Sequence, residues 1–260
     1  MNCKNCHTDL HENDDYCKRC GGKVIRKRLS FKNLFEHLSE TFFNYDNKLL
    51  RTFVQLFKKP EDVIVGYING VRKKYINPIS FFGLALTLSG LSIFIMQKFY
   101  IQHLDFSSLF KGIEASQNIA KATSGTAMEY NSLIYSCFVP LFALISWIVF
   151  LDKKYNLTEH IIIYLYSMSL LSILMVITSQ LVLLTIPSSY LFFSMLSWPL
   201  MFLYHCYILK RIFKLSVGDL FLKGLIALAL FFVVYVIISI AVFLIMLATG
   251  VISFEDFIPK

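Results

Sequence analysis

Charge is scarce in this chain. Asp, Glu, Lys and Arg make up 16% of its 260 residues, against about 25% in a typical soluble domain. Hydrophobic residues reach 56%, and the mean hydropathy is +0.60. Too little polar surface remains to cover one water-soluble globule. The same composition excludes disorder over most of the chain. Several catalytic signatures are missing too. There is no Walker loop, no nucleophile elbow, no HExxH helix and no pair of carboxylates inside an apolar run. These absences weigh against an enzyme. Residues 1–22 hold no apolar stretch, so no cleavable secretory signal is expected there, and the first apolar run should act as an uncleaved anchor.

What the chain has in quantity is hydrocarbon. Five runs of 18 to 26 residues, at about 79–96, 133–151, 161–186, 190–209 and 224–247, contain no Asp, Glu, Lys or Arg. About 20 apolar residues cross the roughly 30 Å hydrocarbon layer of a bilayer. The expected fold is therefore an all-α membrane protein with about five transmembrane helices. One helix from Ile161 to Leu209 would be about 74 Å long, so the chain must turn at Pro187-Ser188-Ser189 and form a tight hairpin.

Basic residues set the orientation. Residues 1–78 carry 15 of the 25 Lys and Arg and 9 of the 17 Asp and Glu. Together with 152–160 and 210–223 they hold 21 basic residues, against 4 on the alternate side. Cytoplasmic segments retain such an excess. The N-terminus is expected on the cytoplasmic side and the C-terminus on the other side of the membrane.

Polar groups within the runs are few. Gln180 and His205 are the candidate intramembrane polar site. Such groups mark ion or proton paths when they are ionisable. An interhelical hydrogen bond for Gln180 and an interfacial or packing role for His205 are the blander readings. Pro140 and Pro199 should kink their helices. Gly83, Thr87, Gly90, Ala241 and Ala248 suit close helix approach, and Cys137 and Cys206 read as small buried apolar residues.

The other four cysteines form Cys3-Lys4-Asn5-Cys6 and Cys17-Lys18-Arg19-Cys20, ten residues apart. Each CxxC turn converges two thiolates on one ion, and two turns complete a tetrahedron at about 2.3 Å per sulfur. Gly21-Gly22 lets the backbone fold back toward sulfur. Cys3, Cys6, Cys17 and Cys20 are thus the expected ligands of a structural Zn2+ in a ribbon spanning 1–22. A redox pair lacks the surrounding βαβ pattern, and disulfides are disfavoured on the cytosolic side. His7 and His11 are not needed in a shell that four thiolates fill. Some 22 residues cannot bury a core unaided, so metal binding would supply the folding free energy.

Residues 23–78 read as a basic linker, including Arg26-Lys27-Arg28, followed by amphipathic helices. Ser30 would cap a helix over Phe31–Phe42. A second helix should run over Asp46–Lys58, and a third from Pro60 to a stop at Asn69-Gly70, with Asn77-Pro78 opening the first span. These helices would lie in the lipid interface or pack over the bundle. Residues 97–132 are expected to form the largest outer loop, with helix in part of it, and residues 79–260 the transmembrane domain.

Taken together, the CxxC and CxxCGG pairs, the basic linker, Arg51-Thr52, Lys59-Pro60-Glu61, Tyr67-Ile68-Asn69-Gly70, Arg72-Lys73-Lys74-Tyr75 and Pro78 are similar to a family of bacterial, mainly Bacteroidetes, integral membrane proteins of unknown function. The resemblance covers about residues 1–95. It departs at Gly21-Gly22, where many relatives have Gly-Gln. It implies a zinc ribbon joined to a multi-span body and no particular activity. Within it Arg51, Arg72, Lys73, Lys74 and Tyr75 are candidate contacts for an anionic lipid or ligand, with interfacial anchoring as the plainer role. The expected protein is non-enzymatic, with the ribbon as a cytosolic docking or assembly module. A transporter or lipid-handling permease is the second reading, and a lipid-modifying membrane enzyme the third. Membrane lipids and a cytosolic protein are the expected partners, with oligomerisation open. Nucleic acid is disfavoured, because no exposed aromatics interleave the basic residues.

Overall fold

The computed structural model describes residues 1–22, 24, 26, 30, 48–100 and 130–248. The helix expected over 31–42, the middle of the long outer loop, Lys27 and Arg28 of the linker and the C-terminal segment from 249 lie outside the described residues. The chain divides into two units, Met1–Asn47 and Lys48–Lys260.

In the second unit, local sequence chemistry places several helix boundaries. Helix α1 spans Lys48–Lys58 and buries Thr52 and Leu56 on one face. Helix α2, Pro60–Ile68, starts with proline at its first position and has Glu61 and Asp62 in its first turn. It stops as expected at Asn69-Gly70. The Val71 N–H donates to the Gly66 carbonyl and the Gly70 N–H to the Tyr67 carbonyl, while Gly70 takes φ +97°. Both closing bonds need a left-handed residue at that point. Helix α3, Pro78–Phe99, is capped by the Asn77 side chain, which accepts from the Ile79 N–H at 2.9 Å.

Helix α4 covers Asn131–Val149, and a short 3-10 turn, Leu151–Lys153, follows it. Helix α5, Leu157–Thr185, begins with a reciprocal capping box between Asn156 and Glu159. The Pro187–Ser189 turn then reverses the chain into α6, Tyr190–Phe213, which is the expected hairpin. Helix α7, Val217–Ala248, is capped by Ser216, whose hydroxyl accepts from the Asp219 N–H at 3.1 Å. Five of these helices, α3 to α7, are long and apolar enough to cross a membrane. No strand occurs among the described residues. The fold is an all-α membrane protein with short helices before the spans and a four-cysteine cluster near its N-terminus.

Helix α5 is the centre of the body. It is apolar on every side, as a helix surrounded by others must be, and Ile163, Tyr166, Met168 and Leu170 are fully buried along it. The amphipathic pair α1 and α2 packs on the bundle. Leu56, Val63 and Ile64 share one core cluster with Phe81, Tyr166, Ile208 and Ile212. Polar bonds fix the same contact. Tyr204 and Tyr207 donate to the Leu56 and Phe57 carbonyls at 3.1 and 2.7 Å. Tyr166 donates to the Ile76 carbonyl at 2.7 Å, and the Ile76 N–H donates to Thr52 Oγ1 at 3.1 Å.

The peripheral helices behave differently. No side chain described on α7 is buried. Gly83, Thr87 and Ala241 face outward, while Gly90 approaches Ser132 of α4. Cys137, expected to be buried, is exposed on α4. It lies on an outward face of a helix long and apolar enough to cross a membrane.

Candidate functional site

The first unit is built from two turns of the same design. The Cys3 N–H donates to the Thr8 carbonyl at 2.9 Å and the Cys17 N–H to the Gly22 carbonyl at 2.8 Å. The His7 N–H returns to the Cys3 carbonyl at 2.9 Å and the Gly21 N–H to the Cys17 carbonyl at 2.8 Å. The fifth residue of each turn is left-handed, His7 at φ +59° and Gly21 at φ +69°. His7 therefore has a backbone role that its spacing in the sequence does not reveal. Gly22 allows the close approach expected of it, since a Cβ there would sit 3.4 Å from the Cys20 sulfur.

The sulfurs of Cys3, Cys6, Cys17 and Cys20 all lie within 4.8 Å of one another. Cys3 to Cys20 is 3.6 Å and Cys6 to Cys17 is 3.5 Å. A tetrahedron with metal–sulfur distances of about 2.3 Å has edges of about 3.8 Å, so these four sulfurs fit one ion. The Thr8 hydroxyl, 3.3 Å away, is the main cause of lowering the Cys6 thiol to about 6. Backbone N–H groups at Cys20 and Arg19 favour the Cys17 thiolate, but burial and the neighbouring sulfurs outweigh them and push it up to about 11. Four thiolates this close repel one another, and a cation removes that repulsion. Leu10, Cys3 and Cys17 form the small core beneath the cluster.

Of the residues singled out before the first span, Lys74 and Tyr75 share one partner and Arg72 has another. Lys74 Nζ lies 2.8 Å from the Asp62 carboxylate, and the Tyr75 hydroxyl donates to the same carboxylate. Tyr75 is buried. These bonds tie the 71–77 turn to α2 and hold the Asp62 carboxyl below its ordinary range. Arg72 lies over the Tyr67 ring at 5.6 Å. Arg51 is exposed on α1 and Lys73 is exposed in the turn. Glu61, also in the first turn of α2, takes both nitrogens of the Arg211 fork, at 3.1 and 2.5 Å.

Of the two intramembrane candidates, Gln180 bridges helices, its Nε2 donating to Ser92 Oγ on α3 at 2.6 Å. His205 stands among the rings of Tyr164 and Phe142, with centroids 5.4 and 6.2 Å away. With them it lines a cavity of about 440 Å3 between α4, α5, α6 and α7. Trp198 and Phe231, at mid-helix on α6 and α7, also line it, so it reaches the middle of both spans. At its loop end Lys223 Nζ lies 3.0 Å from the Val149 carbonyl and pairs with Asp152.

Sequence reasoning missed His160, which is fully buried at the start of α5. Its Nδ1 hydrogen-bonds Ser146 Oγ at 2.9 Å, and its Nε2 is buried with no hydrogen-bond partner among the described residues. The signal lay in the capping box, which extends the helix four residues ahead of the apolar run and draws His160 inside.

No curated protein and no solved structure matches the chain. Over residues 46–90, a stretch that includes the α1–α2 pair, the following turn and the first half of α3, the chain is similar to a family described as protein of unknown function (DUF3667).

Proposed function

We propose that this is a non-enzymatic integral protein of a bacterial inner membrane, and that its first unit is a structural zinc ribbon used as a cytosolic docking or assembly module. The observation that carries the reading is the doubled cysteine turn. Four sulfurs at tetrahedral spacing close the ion's shell, and a closed shell leaves no position for a reacting water. Zn2+ would supply folding free energy, and Cys3, Cys6, Cys17 and Cys20 would hold it. The excess of Lys and Arg on the N-terminal side supports a cytosolic position. Purified protein in detergent under reducing conditions should carry one zinc per chain by elemental analysis. Pull-downs should recover a partner with the wild type that Cys17→Ser/Cys20→Ser loses. Equal partner sets from equally stable proteins would count against docking, and metal-free wild type would remove the ribbon.

The cavity favours a second reading, a lipid-handling permease. A helical bundle of this size has no packing need for a void of about 440 Å3. Reconstituted protein should then speed movement of a fluorescent phospholipid between leaflets. A rate equal to that of empty vesicles sinks this reading alone.

A further inference from the structure

The cavity between α4 and α7 is a void that the chain's own atoms could enter. A Cβ added at Gly224, on its wall, would meet no atom within 4 Å. Phe142, Met168, Phe202, Leu209, Ala227 and Phe231 make its sides apolar. On α7 it runs from Leu220 to Phe231, about 16 Å of helix at about 1.5 Å per residue. That makes it a slot rather than a sphere. Trp198 and Leu228 line it and are still 65% and 42% exposed, so it opens sideways between α6 and α7. At that depth the surrounding medium is hydrocarbon, and apolar cavities take up apolar guests rather than water.

The two ends differ. At the mid-membrane end there are rings. At the other end Lys223 lies over Phe150 at 4.9 Å and pairs with Asp152. Lys153 Nζ is 3.6 Å from the same carboxylate. Two cations therefore share one anion, so the Lys153–Asp152–Lys223 cluster carries one net positive charge, with Asp219 one turn before Lys223 on α7.

We infer that this slot holds one acyl chain of an anionic phospholipid, lying along α7 from Leu220 to Phe231 with its head group beside Lys153, Asp152 and Lys223. The inference rests on the lipid-handling reading for its choice of cavity, but it requires only a resident lipid and no transfer. Apolar walls select the chain. The charge at one end sets its direction and selects the sign of the head group.

The test uses the full chain in phosphatidylethanolamine vesicles. These carry a photoactivatable diazirine on the acyl chain of either phosphatidylglycerol or phosphatidylcholine, and adducts are mapped by peptide mass spectrometry. The phosphatidylglycerol probe should label Phe142, Met168 and Phe202, and the phosphatidylcholine probe should label them much less. Gly224→Leu, whose side chain fills the slot, should abolish those adducts and leave the outward-facing Phe232 and Leu244 labelled. Ala227→Phe blocks the same wall should the first variant fail to fold. Adducts confined to outward-facing residues, cavity adducts that survive in a folded blocking variant, or equal labelling by both lipids would each overturn the inference. Leaflet transfer measured on the same vesicles separates the two ideas. Cavity adducts without transfer remove the permease and leave the resident lipid, and transfer without cavity adducts does the reverse.

Discussion

Asp62 shows how one carboxylate can join segments that the sequence leaves apart. It stands in the first turn of α2, where its charge suits the helix N-terminus. It also takes Lys74 and the buried Tyr75 hydroxyl, 12 and 13 residues away. Asp62→Asn keeps the shape but weakens both bonds, and should cost about 1–2 kcal/mol in detergent unfolding, most of it from the buried tyrosine. Because Asp62 is about 43% exposed, the Lys74 contact adds only a fraction of 1 kcal/mol. Its carboxyl is held below 3.8, first by Lys74, then by Tyr75, with Lys59 adding to the effect. The stabilisation is therefore complete above that value and disappears as pH falls through and below it. A melting-temperature series in the wild type should decline there, and in Asp62→Asn it should decline less. His160 invites a second substitution. Its unpartnered nitrogen is a standing cost. Ser146→Ala/His160→Phe, which removes both polar groups, should unfold no more easily than the wild type, whereas His160→Ala should lose about 2–3 kcal/mol through the cavity it leaves. Gln180 was readable as an interhelical bond because few polar side chains sit in the spans. Asp62 and His160 were not readable, since their partners are chosen by the folded chain.

At the level of elements, the polar boundaries explain what hydropathy shows and what it hides. The Asn77-Pro78 start, the Asn69-Gly70 stop and the Pro187–Ser189 reversal are written in residues with fixed backbone preferences, and each occurs where expected. The starts of α5 and α7 do not coincide with their apolar runs. Helix α5 begins at Leu157 rather than 161, and α7 at Val217 rather than 224. Caps such as Asn156 and Ser216 are polar, so a search for oil passes over them. The cysteine turns carry the same lesson. Gly70→Ala forces a side chain into φ +97°, and should cost about 1–2 kcal/mol by thermal unfolding. In the first unit, Gly21→Val should weaken retention of the proposed zinc against a chelator, while His7→Gly should keep or improve it, since His7 already accepts a left-handed φ of +59°.

For the whole molecule, the membrane body and the cysteine unit have different sources of stability. All described helices belong to the second unit, whose core is aromatic and aliphatic. Among the described residues of the first unit, the buried hydrophobic ones are Leu10, Cys3 and Cys17. Stripping the proposed zinc with a chelator should therefore unfold the first unit while helical circular dichroism stays near its starting value. A large loss of helix signal would show that the body depends on the ion. The architecture was legible because five uncharged runs can do little but cross a bilayer. The seat of α1 and α2 was not. Whether an amphipathic helix lies on lipid or on protein depends on bonds such as Tyr204 to Leu56 and Arg211 to Glu61, which link residues about 150 positions apart.

The doubled cysteine turn is asymmetric from inside to outside. Cys3 and Cys17, the first of each pair, are buried, whereas Cys6 is half-buried and Cys20 is exposed. Each turn thus offers the solvent its trailing thiol and shelters its leading one. A bulky alkylating agent or an oxidant should react at Cys20 and then Cys6, well before the sheltered pair, and the first hit would already leave the ion with three anchors. Damage would enter by the same door in both halves, so the unit would fail in steps whose order mass spectrometry can read.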